Sequence, residues 1–254
     1  LNLELKQHLC RVADNHTLWA DVQLLALHAP ELARTLRPGQ FALARDPTTL
    51  DPYLRRTLWL YHIEGARVAF TLPARDPLVV RARVGDTLDL LAPLGRAIEF
   101  DSNARHVLLI GEGTRVAPLI AIAHDAIAQG RAVVLVTHTP FLPHSAGQGA
   151  WPAHLLSPEI EYRTGDGLDA ELIAWADAIV ASGSAQLYRA LADAVRAARY
   201  RLEPGFARVL MDLPMPCGTG ACYACAVETS RGVKLTCADG PSFDLIEFAN
   251  QRTR

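Results

Sequence analysis

Pro216-Cys217-Gly218-Thr219-Gly220-Ala221-Cys222-Tyr223-Ala224-Cys225 is the stretch from which the organisation of the chain is read, with Cys237 following eleven residues after Cys225. Four of the five cysteines in the 254 residues fall in this window, spaced C-x4-C-x2-C and then once more. That spacing suits four thiolates around a 2Fe–2S cluster. Three ligands on one loop require tight turns and inward-pointing N–H groups, and Gly218 and Gly220 supply the backbone freedom. The fourth is expected from a separate strand, Gly232 to Thr236, leading into Cys237. A zinc site favours two paired C-x2-C knuckles, and only one is present. Disulfides suit a small secreted domain, whereas this chain is long enough for a full core and no signal-like segment is expected. Cys217, Cys222, Cys225 and Cys237 are therefore the expected metal ligands, flanked by Met215 and Tyr223. Cys10 stands apart and reads as a small buried residue.

Composition narrows the partners. Half the residues are apolar, a fifth are charged, and the formal net charge is -2. Such a balance gives no electrostatic field for nucleic acid. No apolar run reaches the length that spans a bilayer, the longest candidates being strand-sized. Cysteines committed to a cluster point to a reducing cytoplasm.

Upstream of the loop the chain changes character twice. From Leu3 to about Phe100 short alternating segments are broken by Pro, Gly and Asp, as in antiparallel β structure. Strands are expected over Thr17–Leu27, Gln40–Leu43, Leu58–Ile63, Arg67–Leu72 and Val84–Leu91, which favours a small barrel. Arg105–Ile110 then reads as a buried strand, turning at Gly111-Glu112-Gly113 into a helix from Val116 to Gln129. Ala132–Thr137 supplies the next parallel strand, an α/β crossover. A helix over Ala170–Trp175, a strand over Ala178–Ala181 and an amphipathic helix over Ser184–Arg199 follow. The segment Thr139–Leu155 is a long loop rich in Pro, Gly and His. His138, His144 and His154 lack metal-site spacing and are expected to be solvated or satisfied in the core. Past Pro204-Gly205 come a strand over Phe206–Met211, the cysteine loop, and a hairpin turning at Ser230-Arg231-Gly232. The expected division is residues 1–100, a β-barrel; 101–203, an α/β unit; and 204–254, the cluster segment.

The order of these parts resembles the ferredoxin-NADP reductase superfamily. A barrel closes on Gly85-Asp86-Thr87-Leu88 and Ala92-Pro93-Leu94-Gly95, and a nucleotide-type α/β unit follows. With the cysteine set at its end, and with Asp239-Gly240-Pro241-Ser242-Phe243 beyond the fourth cysteine, the chain resembles the electron-transfer subunits of two-component, NAD-linked dihydroorotate dehydrogenases. The resemblance implies FAD on the barrel and NAD on the α/β unit. It also implies an FMN-containing catalytic subunit as redox partner, with a role in pyrimidine biosynthesis. Electrons would pass from the partner through the cluster to FAD, and as a hydride to NAD.

The flavin signature of that family, Arg-Pro-x-Ser, falls on Arg56, Thr57, Leu58 and Trp59. Arg56 matches the guanidinium set against the flavin pyrophosphate. Trp59 replaces the serine, where it either stacks on the flavin ring or fills its place, and the family's Gly-Thr pair is missing near Ala74–Pro77. The dinucleotide run Gly-Gly-Gly-x-Gly-x-Ala-Pro becomes Gly111-Glu112-Gly113-Thr114-Arg115-Val116-Ala117-Pro118. Gly111, Gly113 and Thr114 are retained as nucleotide contacts, while Glu112 and Arg115 put side chains where phosphate must reach backbone. Ser182-Gly183-Ser184 stands for the family's Cys-Gly-Pro. These departures lead to the expectation of an intact cluster, a flavin site resting on Arg56, and a weakened NAD site. Electrons would then pass to NAD or to another acceptor. Two neighbouring readings are a related reductase subunit feeding a hydrogenase or a ferredoxin, and a cluster-bearing subunit without turnover.

Overall fold

The computed structural model describes residues 6–139 and 153–248. Most of the expected 139–155 loop, with His144, lies outside them. The chain divides into two compact units: residues 1–98, 213–226 and 235–241, and residues 99–212, 227–234 and 242–254. The C-terminal segment is shared between the two.

The first unit is a closed antiparallel barrel of β1 (Lys6–Trp19), β2 (Val22–His28), β3 (Phe41–Arg45), β4 (Arg56–Glu64), β5 (Arg67–Pro73) and β6 (Thr87–Leu94). Around the barrel the order is β1-β2-β5-β4-β3-β6. Helices α1 (Pro30–Thr35) and α2 (Pro77–Arg81) fill two connections. The expected single strand over Thr17–Leu27 is a correction: the chain reverses inside it, and Thr17 and Leu27 belong to different strands. Ala20 takes the left-handed conformation at this turn, with φ 44°. No Gly or Asn announces it, which is why the reversal is hidden in the sequence.

Alternation along the strands sorts side chains to two faces. Register places Cys10 opposite Leu88, Leu25 opposite Phe70 and Ala44 opposite Leu90, all buried inside the barrel. Burial there, with Glu31 adding to it, pushes the Cys10 thiol up to about 11. The remaining cysteine is thus an inert core residue. Phe41 opposite Trp59 and Leu43 opposite Thr57 alternate with this set and form the outer face of β3 and β4. On the same side of the wall, Asp89 is buried and receives Arg45 Nε at 2.8 Å and Arg55 Nη2 at 2.7 Å.

The second unit carries a six-stranded sheet in the order β14-β11-β10-β7-β8-β9. Its strands are β7 (His106–Glu112), β8 (Ala132–His138), β9 (Ile160–Gly165), β10 (Ala178–Ser182), β11 (Ala207–Leu210) and β14 (Ser242–Asp244). All neighbours run parallel except β14, which is antiparallel to β11. Helices α3 (Ala117–Ala128), α4 (Ala170–Trp175) and α5 (Ala185–Arg199) connect the strands. Asp169 caps α4 and Ser184 caps α5, each side chain accepting a first-turn N–H. The sequence reading missed β9 and β14: Ile160–Gly165 shows one buried position in six, and β14 is three residues long. The hairpin β12 (Ala226–Thr229) and β13 (Gly232–Leu235) forms as expected, and α6 (Thr236–Asp239) follows it. No helix among the described residues is long and apolar enough to cross a membrane.

Candidate iron–sulfur site and nucleotide positions

The cysteine loop belongs to the first unit, and so does the turn that carries Cys237. Gly218 and Gly220 take φ of 68° and 82°, the left-handed region that favours glycine. A Cβ at Gly218 would stand 2.8 Å from Leu43 Cδ1 and 3.0 Å from Leu94 Cδ1. The loop therefore lies directly on the outer apolar face of the barrel, and β3 and β6 are what position it. Gly218→Ala combines left-handed strain with this clash, a destabilisation of about 2 kcal/mol. The variant is expected to melt earlier and to retain less iron on purification, and an unchanged melting curve would contradict the packing.

Thr236 joins the two ligand-bearing segments. Its backbone N–H and its hydroxyl both donate to the Cys225 carbonyl, each at 3.0 Å. Leu235 N donates to Asp239 Oδ2 at 2.8 Å, closing the short α6 turn around Cys237. Cys237 thus enters from β13, as expected, but sits in a helical turn rather than in the strand.

Two of the four sulfurs meet directly. Cys225 and Cys237, both buried, lie 3.4 Å apart at Sγ. Cys222 is exposed, and it is among the groups that hold the Cys217 thiol below its ordinary value. Among the described residues no three His, Cys, Asp or Glu side chains gather closely enough for one metal ion. Four cysteines on the loop and the α6 turn supply the four thiolates that two irons need, two for each.

The surrounding backbone favours thiolate at Cys217. Burial works against Cys217, but N–H groups of Thr219 and Cys222 outweigh it and bring the thiol down to about 6. Cys237 moves the other way, to about 12, through burial and the adjoining Cys225, opposed by the Gly220 N–H. Iron in place of the shared proton would relieve that cost, because the coordinated sulfur is deprotonated outright. The donor set and its N–H lining fit a 2Fe–2S cluster.

The expected flavin residues are arranged unequally. Arg56 Nε donates to Asp76 Oδ2 at 2.7 Å, and Asp76 is buried and caps α2 through Leu78 N. This pairing fixes the guanidinium while leaving its side chain 40% exposed, which fits an anchor for the phosphate end of a nucleotide. Asp76 was not foreseen, though its place before Pro77 is a helix-start signal. Thr57 is half-buried, and Leu58 points into the barrel interior. Trp59 packs on Phe41 with ring centroids 5.6 Å apart and is only 5% exposed. Of the two roles open to the tryptophan, this position favours filling the ring's place. Arg56, held in place by Asp76, fits the phosphate end of the flavin nucleotide.

In the second unit Gly111 is forced by a close approach, since a Cβ there would fall 2.4 Å from Val116 Cα. Gly113 has φ 58° and opens the 113–116 turn, and Thr114 lies within it. The turn is kept. Glu112, however, is buried and bonded to Ser184, so its side chain does not leave the phosphate position open. His138, at the end of β8, is buried and accepts from Gly167 N at 3.1 Å, a structural role as expected.

A small closed barrel, a largely parallel sheet and a cysteine loop whose donor set fits a 2Fe–2S cluster are the features to set beside known proteins. Residues 214–248 match the iron-sulfur cluster binding domain of dihydroorotate dehydrogenase B. The chain is 28% identical over 225 residues to the dihydroorotate dehydrogenase B (NAD(+)) electron transfer subunit of Bacillus caldolyticus, covering 82% of this chain and 84% of that one. The subunit of the same name from Geobacillus sp. (strain WCH70) is 26% identical and aligns over 94% of this chain and 97% of its own. Among solved structures, a chain of an NADH-dependent reduced ferredoxin-NADP oxidoreductase superposes with a TM-score of 0.75 at 21% identity, covering 94% of this chain and 89% of its own. Phthalate dioxygenase reductase gives 0.61 at 15% identity, over 92% and 94% of the two chains. The chain is similar to the electron transfer subunits of dihydroorotate dehydrogenase B and has the fold of the ferredoxin-NADP oxidoreductase chain.

Proposed function

We propose that this chain is the electron-transfer half of a two-part oxidoreductase, with Cys217, Cys222, Cys225 and Cys237 holding a 2Fe–2S cluster. Its partner is an FMN-containing catalytic subunit that oxidises dihydroorotate, in the cytoplasm, as a step of pyrimidine biosynthesis. The observation that carries the reading is the set of four cysteines on the loop and the α6 turn, with Cys225 and Cys237 3.4 Å apart at Sγ and N–H donors toward the sulfurs of Cys217 and Cys237. When bound, such a cluster takes and gives one electron at a time.

The chain's own residues set the direction of exchange. Cys225 and Cys237 are buried and keep water from one side of the site. Cys222 and Tyr223 are exposed, the tyrosine by 66%, and present the edge at which a partner docks. N–H groups of Thr219, Cys222 and Gly220 lie against the sulfurs and favour the added negative charge. In this reading residues 1–100 are the flavin-type barrel, 101–203 the nucleotide-type domain and 204–254 the cluster segment. Arg56 supports a flavin nucleotide on the barrel through its phosphates.

Co-expression with an FMN-bearing dihydroorotate-oxidising subunit tests the reading. The two chains are expected to co-elute without oxygen, and dihydroorotate is expected to bleach the visible absorbance of the cluster. Full reduction of the FMN with an unbleached cluster would sink the proposed relay.

A further inference from the structure

In an open parallel sheet the ligand enters at the carboxyl ends of the strands, where successive connections run in opposite directions. Here that switch point lies between β7 and β10: β8 and β9 extend the sheet to one side, β10 and β11 to the other. A dinucleotide pyrophosphate placed there is held by backbone N–H groups at helix N-termini.

The donors at the start of α5 already have an anion. Glu112 ends β7 and turns its carboxylate across the crevice. Its Oε2 accepts from Ser184 N at 2.6 Å, and its Oε1 accepts from Ser184 Oγ at 3.2 Å. The Ser184 hydroxyl in turn caps α5, accepting from Leu187 N at 3.2 Å. The next donor, Gly183 N, goes to Tyr188 Oη at 3.0 Å, and the Tyr188 hydroxyl donates to the Leu210 carbonyl at 2.9 Å. On its other flank Oε2 lies 3.5 Å from Arg115 Nη1. The carboxylate is packed close over Gly183, where a Cβ would fall 3.0 Å from Oε2. Glu112 is 7% exposed.

We propose that Glu112 is a built-in anion that occupies the phosphate position of the switch point, so that this chain does not take a nicotinamide dinucleotide there. Each part points the same way. The backbone turn of a dinucleotide unit is preserved by Gly111 and Gly113, so the scaffold is sound. The crevice itself is bridged by a short hydrogen bond from Ser184 N to the Glu112 carboxylate, 2.6 Å, with the Ser184 hydroxyl adding a second at 3.2 Å. A phosphate entering beside a buried carboxylate meets like charge and finds no free N–H at Gly183 or Ser184. Glu112 is thus the specificity-determining residue of this unit, and Arg115 beside it is engaged by the same carboxylate. The proposal rests on the second unit alone and stands or falls separately from the cluster reading.

The test is an equilibrium titration of the intact, oxygen-free protein with NADH, followed by calorimetry and nicotinamide fluorescence. The E112G and E112Q variants are carried in parallel, each with a thermal melt to confirm folding. Wild type is expected not to saturate, and E112G to bind at least ~10-fold more tightly, equivalent to ~1.4 kcal/mol. E112Q, which keeps size and removes charge, is expected to fall between the two. Micromolar, saturable NADH binding by wild type overturns the proposal whatever the variants do. Equal weakness in wild type and both folded variants also overturns it, because Glu112 would then not be what closes the crevice. If E112G fails to fold, the comparison of E112Q with wild type decides in the same way.

Discussion

Cys225→Ser is expected to leave the purified chain with less than about a tenth of the wild-type iron and sulfide, a loss expected for removing one of four cluster thiolates. Cys225 is buried and tied to the segment that carries Cys237. Its sulfur stands 3.4 Å from Cys237 Sγ, and its carbonyl takes both hydrogen bonds from Thr236. Serine preserves that carbonyl and the backbone, so the loop keeps its place on Leu43 and Leu94. What is lost is a thiolate ligand, for which a hydroxyl with a far higher pKa is a poor substitute. The barrel should survive the change, because its interior contacts are independent of the sulfur. Thermal melting and metal analysis of the same preparation separate the two effects. Full iron content in the variant would show that Cys225 is not a ligand.

Asp89→Ala is expected to carry the largest stability cost, about 3 kcal/mol, because it leaves Arg55 largely buried without its counter-charge. The Arg55 side chain is 16% exposed and donates to both the Asp89 carboxylate and the Asp89 carbonyl, at 2.7 Å each. Arg45, at 42% exposure, contributes less because water screens it. Burial alone would raise the carboxyl's pKa, but the Arg55 and Arg45 hydrogen bonds outweigh it and hold the group below its ordinary value. A carboxyl held down in the folded state stabilises above its unfolded pKa, about 3.9, and loses that stabilisation as pH falls through the folded value. The stability gap between wild type and variant should therefore be full at neutral pH and shrink below about pH 4. Chemical denaturation at the two pH values measures it. A gap that widens in acid would contradict the assignment.

The parts of this molecule that were readable from sequence are those set by local rules. Cys217, Cys222 and Cys225 lie within nine residues, so their convergence is nearly a property of the loop, and Gly218 and Gly220 mark its left-handed turns. Strands β7, β8 and β10 are continuous apolar runs, and α5 shows one apolar stripe under a serine cap. What escaped depends on distant partners. The Ala20 reversal has neither Gly nor Asn at its left-handed position, only Asp21 beside it. Strand β14 is too short to carry a period and exists because β11 offers it an edge. Asp76 beneath Arg56 and Thr236 across from Cys225 are ordinary residues until the fold brings them to their partners. Glu112 is the instructive middle case. Its side chain at the phosphate turn was conspicuous, and a weakened nucleotide site was expected from it. That the carboxylate would bridge to Ser184, seventy-two residues on, needed the sheet order.

The central claim is the cluster, and metal stoichiometry reaches it directly. Protein purified without oxygen should contain about two irons and two acid-labile sulfides per chain, the composition of a 2Fe–2S centre. One zinc per chain without sulfide, or four cysteines consumed in disulfides, would contradict it.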